Sequence, residues 1–145
     1  MPSSLHRGVI LVSAMCAGIV SGEPAATSAV TGIRFWSFGD TTRVVIETTG
    51  EFELRSDRVP NPDRLFFDLA GARMRLGRKG QHTIPVNDPL LKQIRVAETA
   101  PGVTRVAFDL EAGVEHVASQ LTNPERVIVE LRPTAATHPT PPPLV

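Results

Sequence analysis

The feature that most constrains the fold of this chain is an internal similarity between two stretches of its sequence, separated by 62 residues. The aligned segments are 42–47 with 104–109, 61–69 with 123–131 and, at an offset of 61, 33–35 with 94–96. Eight of the 28 positions from 42 to 69 are identical to their counterparts, and most of the others near the aligned segments exchange acid for acid or apolar for apolar. This pattern predicts an internal duplication of a unit of roughly 40 residues.

Within each copy, apolar and polar residues alternate with a period of two, which is typical of half-buried β-strands. Val44 and Ile46 fall on one side of such a strand, while Arg43, Val45 and Glu47 fall on the other. Thirteen Pro and eleven Gly disfavour long helices and suit short strands joined by turns. The expected strands of the first copy are 33–38, 42–48, 51–57 and 64–69, and the second copy should mirror them.

A four-stranded sheet with one apolar face must bury that face, and the simplest partner for each copy is the other copy. We therefore expect an all-β domain of two symmetric four-stranded sheets from an internal duplication, packed as a small sandwich or a flattened barrel. The connector at residues 71–93, which contains Pro85 and Pro89, is expected to carry the chain from one sheet to the other.

Both ends of the chain differ in composition from this central part. An apolar run at 8–20 follows Arg7 and precedes small residues, which is the layout of a secretory signal, so residues 1–22 are predicted to be a signal peptide and the protein to be exported. The run is too short for a permanent membrane span. Residues 133–145 are rich in Pro and Thr and are predicted to be a linker or tail, which leaves 31–132 as the folded domain.

Composition and motifs argue against several classes of function. The chain has 15 Lys and Arg against 15 Asp and Glu, so it lacks the basic excess typical of nucleic-acid binding. Its one Cys cannot form an internal disulfide, and His82 and His116 do not have the spacing of a zinc site. We therefore expect no catalytic residues, no metal and no cofactor in this chain.

The polar side of the predicted strands carries the candidate ligand-binding residues. Arginine forks and carboxylates beside an apolar strip can hold a sugar ring together with its hydroxyl or carboxylate groups. Cross-strand ion pairing on a solvated sheet face is the alternative interpretation of the same pattern. The candidate residues are Arg43, Glu47, Arg64, Asp68, Arg105, Asp109, Arg126 and Glu130.

Two further features admit both a functional and a structural interpretation. The basic cluster, made of Arg73, Arg75, Arg78 and Lys79, could meet an anionic polymer or lipid headgroups, but solvated loop charges explain it as well. Trp36 could offer an exposed indole to a sugar, but a single Trp in a small β-domain is expected to lie in the core.

Three motifs, in this order and in a duplicated unit, resemble the AMIN domain. The motifs are TRVVIE at 42–47, RLFFDLAG at 64–71 and IPVNDPLLKQIR at 84–95. This family is found N-terminal to periplasmic N-acetylmuramoyl-L-alanine amidases and in pilus secretins and other envelope proteins. The resemblance covers about 31–132 and implies two symmetric four-stranded sheets and a non-catalytic role, in which the domain binds peptidoglycan and holds an attached enzyme at the division site.

Three functional hypotheses follow from the residues and the resemblance together. The favoured one is an exported peptidoglycan-binding module that localises an attached or partner cell-wall enzyme in the envelope. A second is that the chain is the N-terminal fragment of an N-acetylmuramoyl-L-alanine amidase. The third is a protein-docking module of a secretin-type envelope assembly, which would use an exposed sheet edge.

Overall fold

A computed structural model of the protein describes residues 27–77 and 80–135, and the predicted signal peptide and most of the predicted tail lie outside these residues. The described chain forms ten β-strands. They are β1 (Ser28–Phe38), β2 (Thr41–Thr48), β3 (Glu53–Val59), β4 (Arg64–Ala70), β5 (Ala72–Met74), β6 (His82–Pro85), β7 (Leu91–Ala100), β8 (Val103–Leu110), β9 (Val114–Leu121) and β10 (Arg126–Pro133). The predicted all-β class is confirmed.

The strands form two five-stranded sheets that pack face to face as a sandwich. Sheet 1 has the order β5-β1-β2-β10-β9, and sheet 2 has the order β3-β4-β8-β7-β6. All neighbouring strands are antiparallel except β1 and β5, which are parallel. Each sheet thus has four long strands and one short strand, β5 or β6, that comes from the connector.

The distribution of the strands between the sheets differs from the expectation that each copy forms its own sheet. Sheet 1 takes β1 and β2 from the first aligned half and β9 and β10 from the second, while sheet 2 takes β3 and β4 from the first and β7 and β8 from the second. The chain crosses to the other sheet between β2 and β3, within residues 49–52. Period-two alternation identifies the buried side of a strand, but long-range packing selects the strand's hydrogen-bonding partner.

The core lies between the two sheets and consists of the alternating apolar residues of their central strands. Phe67 of β4 and Phe108 of β8 are fully buried, and their rings meet edge to face with centroids 5.4 Å apart. Val44 and Ile46 of β2 are also fully buried, as the alternation predicts. The polar residues of the same strands therefore point away from the core and form the outer face of each sheet.

The connector links the two sheets through Asp88. One carboxylate oxygen of Asp88 accepts hydrogen bonds from the backbone N–H groups of Leu90 and Leu91 at 2.8 and 2.7 Å. The other accepts from Ser37 Oγ at 2.9 Å and from the Thr42 hydroxyl, both of which belong to sheet 1. The connector is therefore fixed to sheet 1 at the point where β7 begins in sheet 2. It also adds β5 to sheet 1 and β6 to sheet 2, rather than only joining the sheets.

Candidate binding faces

The eight candidate residues divide equally between the outer faces of the two sheets. On sheet 1 the cross-strand register places Arg43 opposite Glu130 and Glu47 opposite Arg126. On sheet 2 it places Arg105 opposite Asp68 and Asp109 opposite Arg64. Every candidate arginine therefore faces a candidate carboxylate on the neighbouring strand. The two groups of four lie on opposite sides of the sandwich and cannot contact one ligand molecule of small size.

One of the ion pairs on sheet 1 lies against an aromatic side chain. Arg43 donates a hydrogen bond to Glu130, and Arg132 donates to the second oxygen of the same carboxylate at 2.9 Å. The Arg43 guanidinium also lies over the Phe38 ring, 5.3 Å from its centroid, which is within cation–π distance. Arg34 of β1 donates to Glu47. The strand β1 thus contributes cationic and aromatic groups beside the candidate residues.

The ion pairs on sheet 2 are more extensively hydrogen-bonded. Arg105 binds Asp68 through two parallel hydrogen bonds of 2.7 and 2.8 Å and lies over the Phe66 ring at 5.1 Å. Arg95 binds Asp109 through two hydrogen bonds of 3.0 and 2.9 Å. Gln93 donates to the same carboxylate at 2.6 Å, and Arg64 Nε lies 3.1 Å from it. These contacts occupy both oxygens of Asp68 and of Asp109.

The ion pairs hold the carboxylates in their charged form. The hydrogen bonds from Arg105 and its charge lower the pKa of Asp68, and they outweigh the opposing effect of burial. Burial by itself would raise the pKa of Asp109, but the hydrogen bonds from Arg95 and Gln93 and the nearby guanidinium charges lower it overall. The Arg43 hydrogen bond likewise lowers the pKa of Glu130. All three carboxylates are therefore ionised at neutral pH.

Trp36 lies on the outer face of sheet 1, not in the core as expected from its being the only Trp. Its side chain follows the alternation of β1, which pairs Trp36 with the outward-facing Arg43. Its exposed fraction is 42%, and that of Phe38 is 49%. The core between the sheets is filled by the alternating residues of the central strands, so an indole on the outward side of β1 has no access to it.

The described part of the basic cluster borders a separate cavity. Arg73 and Arg75 line a depression of about 500 Å³ together with Met74 and Glu98. Arg78 and Lys79 lie outside the described residues. Within residues 27–77 and 80–135, no group of three or more His, Cys, Asp or Glu is arranged to hold a metal ion. No helix in that same part of the chain is long and apolar enough to cross a membrane.

The fold and the two faces define a small β-sandwich domain whose solvent-exposed outer faces carry arginine–carboxylate pairs. The chain belongs to the AMIN domain family, whose model matches residues 32–133. The resemblance seen in the sequence motifs is therefore confirmed.

Two proteins that the chain resembles are N-acetylmuramoyl-L-alanine amidases. The chain is 28% identical over 117 residues to the N-acetylmuramoyl-L-alanine amidase AmiC of Escherichia coli O6:H1, an alignment that covers 77% of this chain and 28% of that protein. It is 27% identical over 82 residues to the AmiC amidase of Neisseria meningitidis serogroup B, covering 56% of this chain and 20% of the relative. The chain thus spans about a quarter of the length of these enzymes.

Sequence reasoning missed several residues of the two faces. Arg34 and Arg95, which bind Glu47 and Asp109, occupy matching positions in the segments aligned at an offset of 61. That alignment was the available signal, because two arginines at matching positions of outward-facing strands point to the same role. Sequence reasoning could not distinguish Phe38 from a core residue. The sequence does not show how much of a strand near the edge of one sheet is covered by the rest of the sandwich.

Proposed function

We propose that this protein is an exported, non-catalytic module that binds peptidoglycan and localises an attached or partner cell-wall enzyme in the bacterial envelope. Export through residues 1–22 and a periplasmic location are part of the proposal. The observation that carries it is the arrangement of arginine–carboxylate pairs beside aromatic rings on the outer faces of an AMIN domain. The relatives are named for cleaving the N-acetylmuramoyl-L-alanine bond, which belongs to peptidoglycan.

The chemistry of the faces matches that of the polymer. Peptidoglycan presents the apolar C–H faces of its sugar rings next to hydroxyl, amide and carboxylate groups. An aromatic ring gives a flat apolar contact, and a neighbouring guanidinium or carboxylate gives directional hydrogen bonds. A screened loop charge gives attraction that lacks this geometry. The sheet faces are therefore better binding surfaces than the basic cluster.

Cosedimentation of the purified full chain with insoluble peptidoglycan tests the proposal. We expect binding to persist in part between about 50 and 300 mM salt, because direct contacts are screened less than loop charges at long range. A face variant, Arg43→Ala/Arg105→Ala, should bind about tenfold more weakly or worse, as expected for the loss of charge-assisted hydrogen bonds worth roughly 1.5–3 kcal/mol. A matched cluster variant, Arg73→Ala/Arg75→Ala, should bind like the unmodified chain at high salt.

Two results would contradict parts of the proposal. If the folded protein does not sediment with peptidoglycan at any salt concentration, wall binding is wrong, and docking on an envelope protein becomes the better hypothesis. That alternative would use the edge strand β9, whose Val117 is exposed. If the cluster variant loses binding and the face variant keeps it, the assignment of the faces is wrong. Circular dichroism of each variant first establishes that it is folded.

A further inference from the structure

The two outer faces are built from corresponding strands, but their apolar groups are distributed unequally. In the described chain, six large apolar residues are exposed. Four of them, Trp36, Phe38, Val117 and Leu121, lie on the outer face of sheet 1, whereas the outer face of sheet 2 carries Val59. The sixth, Phe35, alternates to the other side of β1. Trp36 and Phe38 lie two residues apart on β1, whereas Val117 and Leu121 lie on β9, beyond β2 and β10. Neighbouring exposed apolar groups typically mark a binding surface, which points to the aromatic pair on β1.

The difference is concentrated on one strand. At the offset of 61 residues that aligns β1 with β7, Trp36 corresponds to Ala97 and Phe38 to Thr99. Trp36 pairs with Arg43 in sheet 1, just as Ala97 pairs with Arg105 in sheet 2. The arginine framework is thus present on both faces, whereas the exposed aromatic pair is present on sheet 1 and the one ring of sheet 2 described above, Phe66, is half-buried beneath Arg105. Neither the shared framework nor the fold requires a tryptophan at this position.

The indole of Trp36 is available to a ligand. Within the described residues, it makes no hydrogen bond, ring contact or cation–π contact, whereas Phe38 is covered on one side by the Arg43 guanidinium. Arg43 is itself fixed by Glu130. A rigid aromatic surface beside a fixed cation and a fixed carboxylate resembles the composition of small-molecule sites, where a few placed polar groups flank an apolar contact.

The carboxylate of Glu47 on sheet 1 also accepts fewer hydrogen bonds than its counterpart on sheet 2. Asp109 of sheet 2 is bound by Arg95 and Gln93 and lies beside Arg64, whereas the matching Glu47 of sheet 1 is bound by Arg34. Gly32 occupies the position that corresponds to Gln93, so no side chain at this position donates to Glu47. A Cβ there would lie 2.6 Å from the Glu47 carboxylate, which leaves little room for a side chain like that of Gln93.

Arg126 has donors to spare, and it differs from its counterpart Arg64, which donates no hydrogen bond in the described chain, in lacking a partner carboxylate. Within the described chain, its guanidinium donates one hydrogen bond, to the Pro124 carbonyl oxygen at 2.8 Å, and forms no ion pair. A guanidinium has five N–H donors, so most of those of Arg126 remain free for a ligand. Arg126 and Glu47 line a depression of about 440 Å³, together with Arg34 and Pro124.

We infer that the outer face of sheet 1, and not that of sheet 2, is the ligand-binding face, and that it recognises the N-acetylated glycan strand by stacking a sugar ring on Trp36. This inference rests on the proposed function and deepens it. A sugar ring has a flat C–H face that fits an indole. Arg126 and Glu47 lie four residues along the strands from the Trp36–Arg43 pair, so they pair with the hydroxyl and N-acetyl groups of sugars farther along the same glycan strand. The charged stem peptide offers no comparable flat apolar face.

The single tryptophan of the chain makes the ligand class directly measurable. Tryptophan fluorescence of the full chain is titrated with glycan strands stripped of their stem peptides, and separately with free stem peptide. We expect a saturable change with the stripped glycan and none with the stem peptide at equal concentration. A change with the stem peptide, or none with the stripped glycan, overturns the inferred ligand.

Matched aromatic substitutions test the inferred face by cosedimentation with intact peptidoglycan. Trp36→Ala and Phe38→Ala should each weaken binding about tenfold or more, whereas Phe66→Ala, which removes a ring held under an arginine on sheet 2, should leave binding unchanged. If Phe66→Ala lowers binding and Trp36→Ala does not, the face is wrongly assigned.

The remaining outcomes separate the inference from the proposed function. Binding by the unmodified chain with no effect of Trp36→Ala overturns the inference and leaves the proposed function standing. Absence of binding by the unmodified chain overturns both. Should an aromatic variant fail to fold, the fluorescence titration of the unmodified chain still decides the inference.

Discussion

Asp109 illustrates how a single residue on an outer face is held by side chains from the two neighbouring strands. Its side chain is largely buried, and it is held by Arg95, Gln93 and Arg64. The sequence pattern identified Asp109 as a candidate residue because it alternates outward, and a partner arginine was inferable from the repeat. The number of partners was not, since side-chain geometry at a sheet surface depends on neighbouring strands that lie far apart in the sequence.

We predict that Asp109→Asn lowers the free energy of unfolding by roughly 1–3 kcal/mol at neutral pH, because it breaks charge-assisted hydrogen bonds in a partly buried site. The pKa of Asp109 is lowered in the folded protein, so its contribution is complete above the unfolded-state pKa near 4 and is lost as the pH falls through the folded-state pKa. Urea unfolding at several pH values checks this. A difference between the two proteins that does not shrink on acidification would contradict it.

His116 contributes to stability in its neutral form, whereas Asp109 contributes in its charged form. Burial lowers its pKa first, and the charge of Arg58 lowers it further, while the charge of Asp63 raises it. Its ring also packs edge to face on Phe67, with centroids 6.4 Å apart. The folded protein therefore favours neutral imidazole.

We predict that the pKa of His116, measured by an NMR titration of its ring protons, lies below 6.5. Its contribution to stability is complete above the unfolded-state pKa of about 6.5 and decreases as the pH falls below that value, because the unfolded chain then binds the proton more tightly. A measured pKa at or above 6.5 would contradict the prediction that partial burial and the charge of Arg58 lower the pKa of His116.

The strands are the scale at which the sequence was most informative. Alternation placed Val44 and Ile46 inward and Arg43 and Glu47 outward, and the fold has this arrangement. The expected strands also lie within two residues of the observed ones at most of their ends, although β1 begins earlier, at Ser28. Strand pairing was not predictable, because each central pair joins segments that are more than 30 residues apart. Pairing within one half of the chain and pairing between the halves would bury the same side chains.

Adjacent residues of β4 provide a direct test of this alternation. Phe67→Ala should lower the free energy of unfolding by about 3–5 kcal/mol, because Phe67 is fully buried and packs against Phe108. Phe66→Ala should cost much less, since Phe66 faces outward beneath Arg105. Chemical denaturation of both variants checks the prediction. Equal losses would contradict the described orientation of β4.

At the scale of the whole molecule, both sheets depend on both halves of the chain. The central pairs β2–β10 and β4–β8 each join one strand from the first half to one from the second. A single half therefore has two strand pairs, each lacking a neighbouring pair and a facing sheet. This differs from a tandem arrangement in which each half closes its own sheet.

We predict that residues 27–77 alone do not form a folded monomer, because the strands that would complete their sheets and cover their apolar faces lie between residues 91 and 133. Circular dichroism and analytical ultracentrifugation at low concentration check this, with the full chain as the folded reference. A cooperatively unfolding monomer of this half would contradict the topology. A folded dimer would be consistent with it, since a second copy could supply the missing strands.

The most direct test of the account as a whole is an amide chemical-shift map of the isotopically labelled full chain titrated with soluble glycan strands of peptidoglycan. We predict that the largest shifts cluster on β1, β2 and β10, around Trp36, Arg43 and Arg126, with the outer face of sheet 2 little changed. Shifts centred on β4 and β8, or no shifts at saturating glycan, would contradict the claim that sheet 1 is the glycan-binding face of this domain.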